Sequence, residues 1–151
     1  MDAIEFLKVD HAHVRDLVGR MTASTAEQLD LRHQLFELLR QELEIHTRIE
    51  EHLLYPVIER QGSHEQEQVR DSLEEHQEMR DRLAQLAKID PSDQHWKQSL
   101  IEFNEVLEHH LSDEEEDLFP RARREIGSEL EQMGGRMYQE KGDRLREYSL
   151  R

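Results

Sequence analysis

A chain of 151 residues is long enough to bury one hydrophobic core. Its 35 acidic and 20 basic residues give a formal net charge of −15, which argues against a nucleic-acid partner, because phosphate binding needs a basic face. The absence of cysteine excludes disulfides, thiolate zinc sites and iron–sulfur clusters, and no run of about 18 apolar residues could span a membrane. Met1 to Lys8 lacks the basic-then-apolar order of a signal peptide, so a cytoplasmic location is expected.

Ile4, Leu7, His11, Val14, Val18 and Met21 recur at helical spacing and predict a first helix with His11 inside its apolar stripe. A polar stretch, Thr22 to Asp30, follows, with Ser24 or Thr25 able to cap the next helix. Leu35, Leu39, Leu43, His46, Ile49, Leu53 and Val57 predict that second helix. His46 and Glu50 fall on or beside its apolar face, and Pro56 should bend or loosen its last turn. Gln61-Gly62-Ser63 stops it, and Ser63 with Gln66 reads as a capping box.

Val69, Leu73, His76, Met79, Leu83 and Leu86 predict a third helix, closed by Asp90-Pro91-Ser92-Asp93. Trp96, Leu100, Phe103, Leu107, His110, Glu114 and Leu118 predict the fourth, ending at Pro120. Arg121 to Arg151 reads as helix to about Met133, punctuated by Gly134-Gly135, and then as a weakly ordered or packing tail. Four amphipathic helices with shorter connections predict an all-α, up-down-up-down four-helix bundle over residues 1–122, with a short helical extension over 123–151.

The chain repeats itself. His46-x-x-x-Glu50-Glu51 with Tyr55-Pro56 matches His110-x-x-x-Glu114-Glu115 with Phe119-Pro120 at an offset of 64. Asp10-His11 with Arg15-Asp16 matches Glu75-His76 with Arg80-Asp81 at an offset of 65. An approximate twofold relation between the halves follows if the bundle forms.

A histidine and a glutamate at i and i+4 share a helix face, so His11, His46, Glu50, His76, His110 and Glu114 all lie on or next to inward stripes. Imidazole suits iron, zinc, copper and nickel; carboxylate also suits manganese and iron. The simplest arrangement places one metal on His11 and His46 and another on His76 and His110. Glu50 and Glu114 would bridge them, with a solvent-derived oxo or hydroxo group. Ionised glutamates in an apolar core are costly without such cations. The bland alternative, buried ion pairs among the same residues, is weaker for a set matched across two halves.

The remaining candidates carry less. His13, His33, His64, His95, His52 and His109 fall off the stripes or at helix starts. Glu51 and Glu115 read as solvated carboxylates, although a one-residue change of register would let Glu115 replace Glu114. Tyr55 and Phe119 read as core aromatics, and Tyr55 could also bring a phenol near the metals.

This pattern resembles the hemerythrin-like family, the HHE cation-binding domains, over roughly Ile4 to Pro120. The family's spaced signature is a lone His, His-x-x-x-Glu, a lone His and a second His-x-x-x-Glu, here His11, His46 with Glu50, His76, and His110 with Glu114. The resemblance implies a non-haem di-iron centre that binds dioxygen, nitric oxide or peroxide, handles iron, or senses oxygen and iron. Oxygen-carrying hemerythrins have a further His four residues after the third-helix His, where this chain has Arg80. They also end with a carboxylate, usually Asp, five residues after the last His, where this chain offers Glu at four and at five. Those departures fit reaction or sensing better than reversible carriage. Arg80 either reaches an acid such as Asp113 or Asp117 or faces solvent.

Three readings stay open at this level. The first is a di-iron protein that senses or reacts with a small oxidant. The second is iron storage without redox turnover. The third is a metal-free structural or interaction bundle.

Overall fold

Asp2 caps the first helix: its carboxylate accepts from the Glu5 backbone N–H at 2.9 Å, and α1 runs over Ala3–Ala23. In the computed structural model, which describes residues 1–150, α2 spans Leu29–Ile49 and continues through a π-helical turn, Glu50–Leu54, into α3, Tyr55–Glu59. The chain then doubles back as α4, Ser63–Ala87, and again as α5, His95–Asp113. A second π turn, Glu114–Leu118, leads into α6, Phe119–Ile126. A 3₁₀ turn, Gly127–Glu129, joins that to α7, Leu130–Ser149. No strand occurs among the described residues. The expected four-helix bundle is present, with α2/α3 and α5/α6 each forming one long, locally widened helix.

The two π turns have a common cause. Pro56 and Pro120 lack an N–H, and each ring would press on the carbonyl four residues back. Widening the preceding turn relieves this: the Tyr55 N–H bonds to the Glu50 carbonyl and the Phe119 N–H to the Glu114 carbonyl, five residues back in each case. The proline therefore widens the helix upstream rather than bending its last turn. The extra residue also advances the helical phase. Leu54 and Ile58 are buried where the simple spacing nominated Leu53 and Val57, which are only half-buried.

Two helix starts differ from expectation. Gln28 precedes α2 and Gly62 precedes α4, and neither helix has a side-chain cap, so the Ser63–Gln66 capping box does not form. The Ser24 hydroxyl instead donates to the Met21 carbonyl and accepts from Arg32 Nε at 2.8 Å. Arg32 is thereby buried over the face of Trp96, 4.3 Å from the ring centroid.

Gly134-Gly135 does not break the last helix. A Cβ on Gly134 would lie 2.3 Å from the Met1 carbonyl oxygen and 2.9 Å from the Ala3 nitrogen, so glycine here lets α7 dock against the start of α1. The expected tail is thus a 20-residue helix lying against α1 and α2, with Met133 and Met137 buried.

The core has two apolar clusters, one toward each end of the bundle. One gathers Ile4, Leu7, Ile49, Leu54, Phe119 and Ile126 with residues of α7. The other gathers Val14, Leu39, Leu83, Trp96, Phe103 and Leu107. Between them lies a buried polar layer.

Candidate metal centre

The polar layer is built from His11, His46, Glu50, His76, His110 and Glu114, each at most 1 % exposed. Four of them, His11, His46, Glu50 and Glu114, each offer a ligand atom within 4.8 Å of the others. Glu50, His76 and His110 form a second such group, so Glu50 belongs to both. Glu50 Oε1 lies 3.2 Å from His46 Nε2 and 3.1 Å from His76 Nε2. Glu114 Oε1 lies 3.2 Å from His11 Nε2 and 3.4 Å from His110 Nε2.

All four imidazoles turn Nε2 inward and Nδ1 outward, and each Nδ1 meets a carboxylate. His11 pairs with Glu115 at 2.7 Å, His46 with Asp10 at 3.0 Å, His76 with Glu51 at 2.7 Å and His110 with Glu75 at 2.7 Å. A carboxylate there keeps a proton on Nδ1, fixes the ring plane and aims Nε2 into the layer, where its lone pair is available once the ring is neutral. The pattern respects the repeat. The acid just before each lone histidine supports the other histidine of its own half. The second glutamate of each doublet supports the lone histidine of the opposite half.

Tyr55 completes the layer on one side only. Its hydroxyl donates to Glu114 Oε2 at 2.8 Å and lies 3.2 Å from His76 Nε2. Its counterpart in the repeat, Phe119, stacks on His11 with ring centroids 5.5 Å apart.

Four buried atoms of the layer, His11 Nε2, His46 Nε2, Glu50 Oε2 and Glu114 Oε1, have no hydrogen-bond partner among the described residues. Stranding such atoms in a core costs about 1–3 kcal/mol each. A cation between them would satisfy all of these atoms, and the donor set of imidazoles and carboxylates suits one.

A family model described as Hemerythrin HHE cation binding domain matches residues 2–122. The chain belongs to the hemerythrin HHE cation-binding family. Among its curated relatives is the uncharacterized protein Rv2633c of Mycobacterium tuberculosis, 31% identical over 139 residues, covering 91% of this chain and 83% of that one. The uncharacterized protein Mb2666c of Mycobacterium bovis matches to the same extent. The crystal structure of an HHE cation-binding domain-containing protein from Mycobacterium kansasii, described as an Rv2633c homolog, superposes with a TM-score of 0.81. Its identity is 31%, covering 95% of this chain and 89% of that one.

Around this HHE site, three cations hold the outer carboxylates. Arg15 donates to Glu115 at 2.8 Å and Glu108 at 2.9 Å. Arg80 donates to Glu51 at 2.8 Å and Thr47 Oγ1 at 3.2 Å, so it neither reaches Asp113 or Asp117 nor simply faces solvent. Lys141 of α7 donates to Asp10 at 2.6 Å and Glu42 at 3.0 Å.

Protonation follows this wiring. Burial pulls His46 down, but the charge of Glu50 and the Asp10 hydrogen bond outweigh it and hold the ring well above its ordinary range. Burial likewise opposes the charge on His110, yet Glu114, Glu50 and Glu75 push it up to about 10. Burial raises the Glu51 carboxyl, but His76 and Arg80 bring it down to about 2. Burial and the neighbouring Glu114 and Glu50 push the Tyr55 phenol well above its usual value.

The six residues nominated from sequence converge in this layer. Glu114, not Glu115, is the buried member of its doublet, and Glu51 and Glu115 are histidine partners rather than solvated carboxylates. The supporting roles of Asp10, Glu75 and Lys141 lay outside the sequence reading. The repeat holds the available signal for two of them, since Asp10 and Glu75 occupy matching places before His11 and His76. His13, His33, His52, His64, His95 and His109 are exposed.

Proposed function

We propose that the chain is a non-haem di-iron protein that binds, senses or reacts with a small oxidant such as dioxygen, nitric oxide or peroxide. The observation that carries this reading is the convergence of four Nε2 atoms and two carboxylates on one buried layer, with every Nδ1 held by an acid. His11 and His46 would hold one metal and His76 and His110 the other, with Glu50 and Glu114 shared. Iron, when bound, supplies electrons and Lewis-acid positions for the oxidant.

The chain's own groups set the conditions. The four outer carboxylates keep each imidazole in the tautomer that presents a lone pair. Tyr55, buried and held protonated, fixes one Glu114 oxygen through its O–H and stands beside His76. The apolar clusters on either side shield the layer from bulk water.

The test is elemental analysis with absorption spectra after exposure to air, azide and peroxide. Metal loading with a ligand-dependent near-ultraviolet band is expected, and replacing His76 and His110 together with Ala should remove at least one metal. Full occupancy in that double variant would sink the ligand assignment. Metal loading without a spectral response to azide or peroxide would leave storage as the function. Metal-free protein whose melting temperature ignores chelators would leave a structural bundle.

A further inference from the structure

The cleft between α2 and α4 encloses about 500 Å³, within the range of ligand sites, and reaches His76 at its inner end. Its middle is apolar, formed by Leu43, Met79 and Leu83 and widened by the short side chains of Ala84 and Ala87. Its rim is cationic, with Arg40, Arg48, Arg80 and Lys88 against the single acid Glu44. On a chain of net charge −15 this is a local reversal of sign. Arg40 and Arg80 have carboxylate partners, Glu37 and Glu51, whereas Arg48 and Lys88 have no side-chain partner among the described residues.

The matching place between α1 and α5 is spanned by a cluster of ion pairs. There Arg15, the counterpart of Arg80, bridges Glu108 and Glu115. The counterpart of Glu108 is Glu44, and its carboxylate accepts from the Tyr148 hydroxyl of α7. Arg80 therefore reaches one acid across its cleft, Glu51, where Arg15 reaches two, and the stretch of the cleft beyond Arg80 carries no such bridge.

We propose that the α2/α4 cleft binds a linear amphiphilic carboxylate of the fatty-acid class. Thr47, Arg48 and Arg80 stand at the end nearest His76 and would face the carboxylate. The alkyl chain lies outward over Leu43, Met79, Leu83 and Ala84. A neutral or cationic amphiphile would leave the unpaired Arg48 uncompensated and is disfavoured. The site stands apart from the metal reading, because it uses none of the six inner residues as a contact for the anion.

Dodecanoate titrated calorimetrically into the full chain, both as purified and after chelation, tests this. Binding on the order of micromolar is expected in both states. Dodecyltrimethylammonium and acetate should bind at least about tenfold more weakly, since each lacks one half of the recognition. The exposed Arg48→Glu exchange and the cleft-filling Ala84→Trp exchange should each weaken dodecanoate by about tenfold or more. Circular dichroism would establish that both variants fold. No binding, equal binding of the cationic amphiphile, or wild-type affinity in the folded variants would overturn the proposal. Dodecanoate binding to protein that never takes up metal would uphold it while refuting the di-iron reading.

Discussion

The half-site of His11 and His46 and the half-site of His76 and His110 have matching ligands but different surroundings. The first is braced: His11 stacks on Phe119, and Asp10 behind His46 is gripped by Lys141 from α7. The second carries the Tyr55 hydroxyl between His76 and Glu114, and Glu75 behind His110 meets the exposed His109, at 3.4 Å, and the Asp113 carboxyl in place of a lysine. An internal repeat thus supplies two copies of one coordination frame. Single atoms beyond the frame, a phenolic oxygen and a lysine nitrogen, make the copies inequivalent.

The exchange with the largest expected effect removes what the halves share. Glu50 belongs to both clusters, so Glu50→Ala should abolish most metal uptake by elemental analysis. Retention of full loading would mean that the halves are separate sites. Next comes pH. Without metal, His46 and His110 are held protonated above their ordinary range, and a metal must displace those protons. Apparent metal affinity should therefore rise with pH as the competing protons leave, up to the region of about 10 where His110 titrates. Competition with a chelator across neutral pH reads this, and a flat profile would contradict it.

Lys141→Met frees Asp10 and should weaken the His11/His46 half-site by roughly tenfold while sparing the other. Equal weakening of both would erase the distinction drawn between them. Tyr55→Phe leaves a buried Glu114 oxygen without its donor and should cost about 1–3 kcal/mol in the thermal stability of the metal-free chain. It should also alter the azide spectrum of the loaded protein; unchanged melting and spectrum would make the hydroxyl incidental. The smallest effect is expected from Arg15→Ala, a partly exposed latch contributing at most about 1 kcal/mol. Its stability change can be read from a urea midpoint, and a loss of several times that size would show that the α1/α5 latch holds the centre itself together.

The bundle and its six inner residues were legible in the sequence because helical spacing and the repeat report burial directly. The outer acids were less so. Glu51 and Glu115 adjoin residues that already face inward, and one step along a regular helix turns a side chain through about 100°, normally to the surface. The π turns begin at these doublets, and they arise from a proline five or six residues downstream that spacing does not register. The same phase change explains why Leu54 and Ile58, not Leu53 and Val57, are buried. The last helix was hidden for a different reason. Adjacent glycines ordinarily mark a stop. Here one of them marks the close approach of another backbone, a long-range fact that no local window contains.

That approach has a consequence for how the molecule opens. Gly134 lies against the peptide groups of Met1 to Ala3, the Met1 amine lies 3.8 Å from Glu131, and Arg123 reaches Asp2 at 3.0 Å. These contacts tie α7 to the start of α1, so the helix carrying Asp10 and His11 is expected to open together with α7. Amide exchange should report α1 and α7 opening together. Gly134→Ala, which has no room for its methyl group, should loosen both helices at once while leaving α4 and α5 protected.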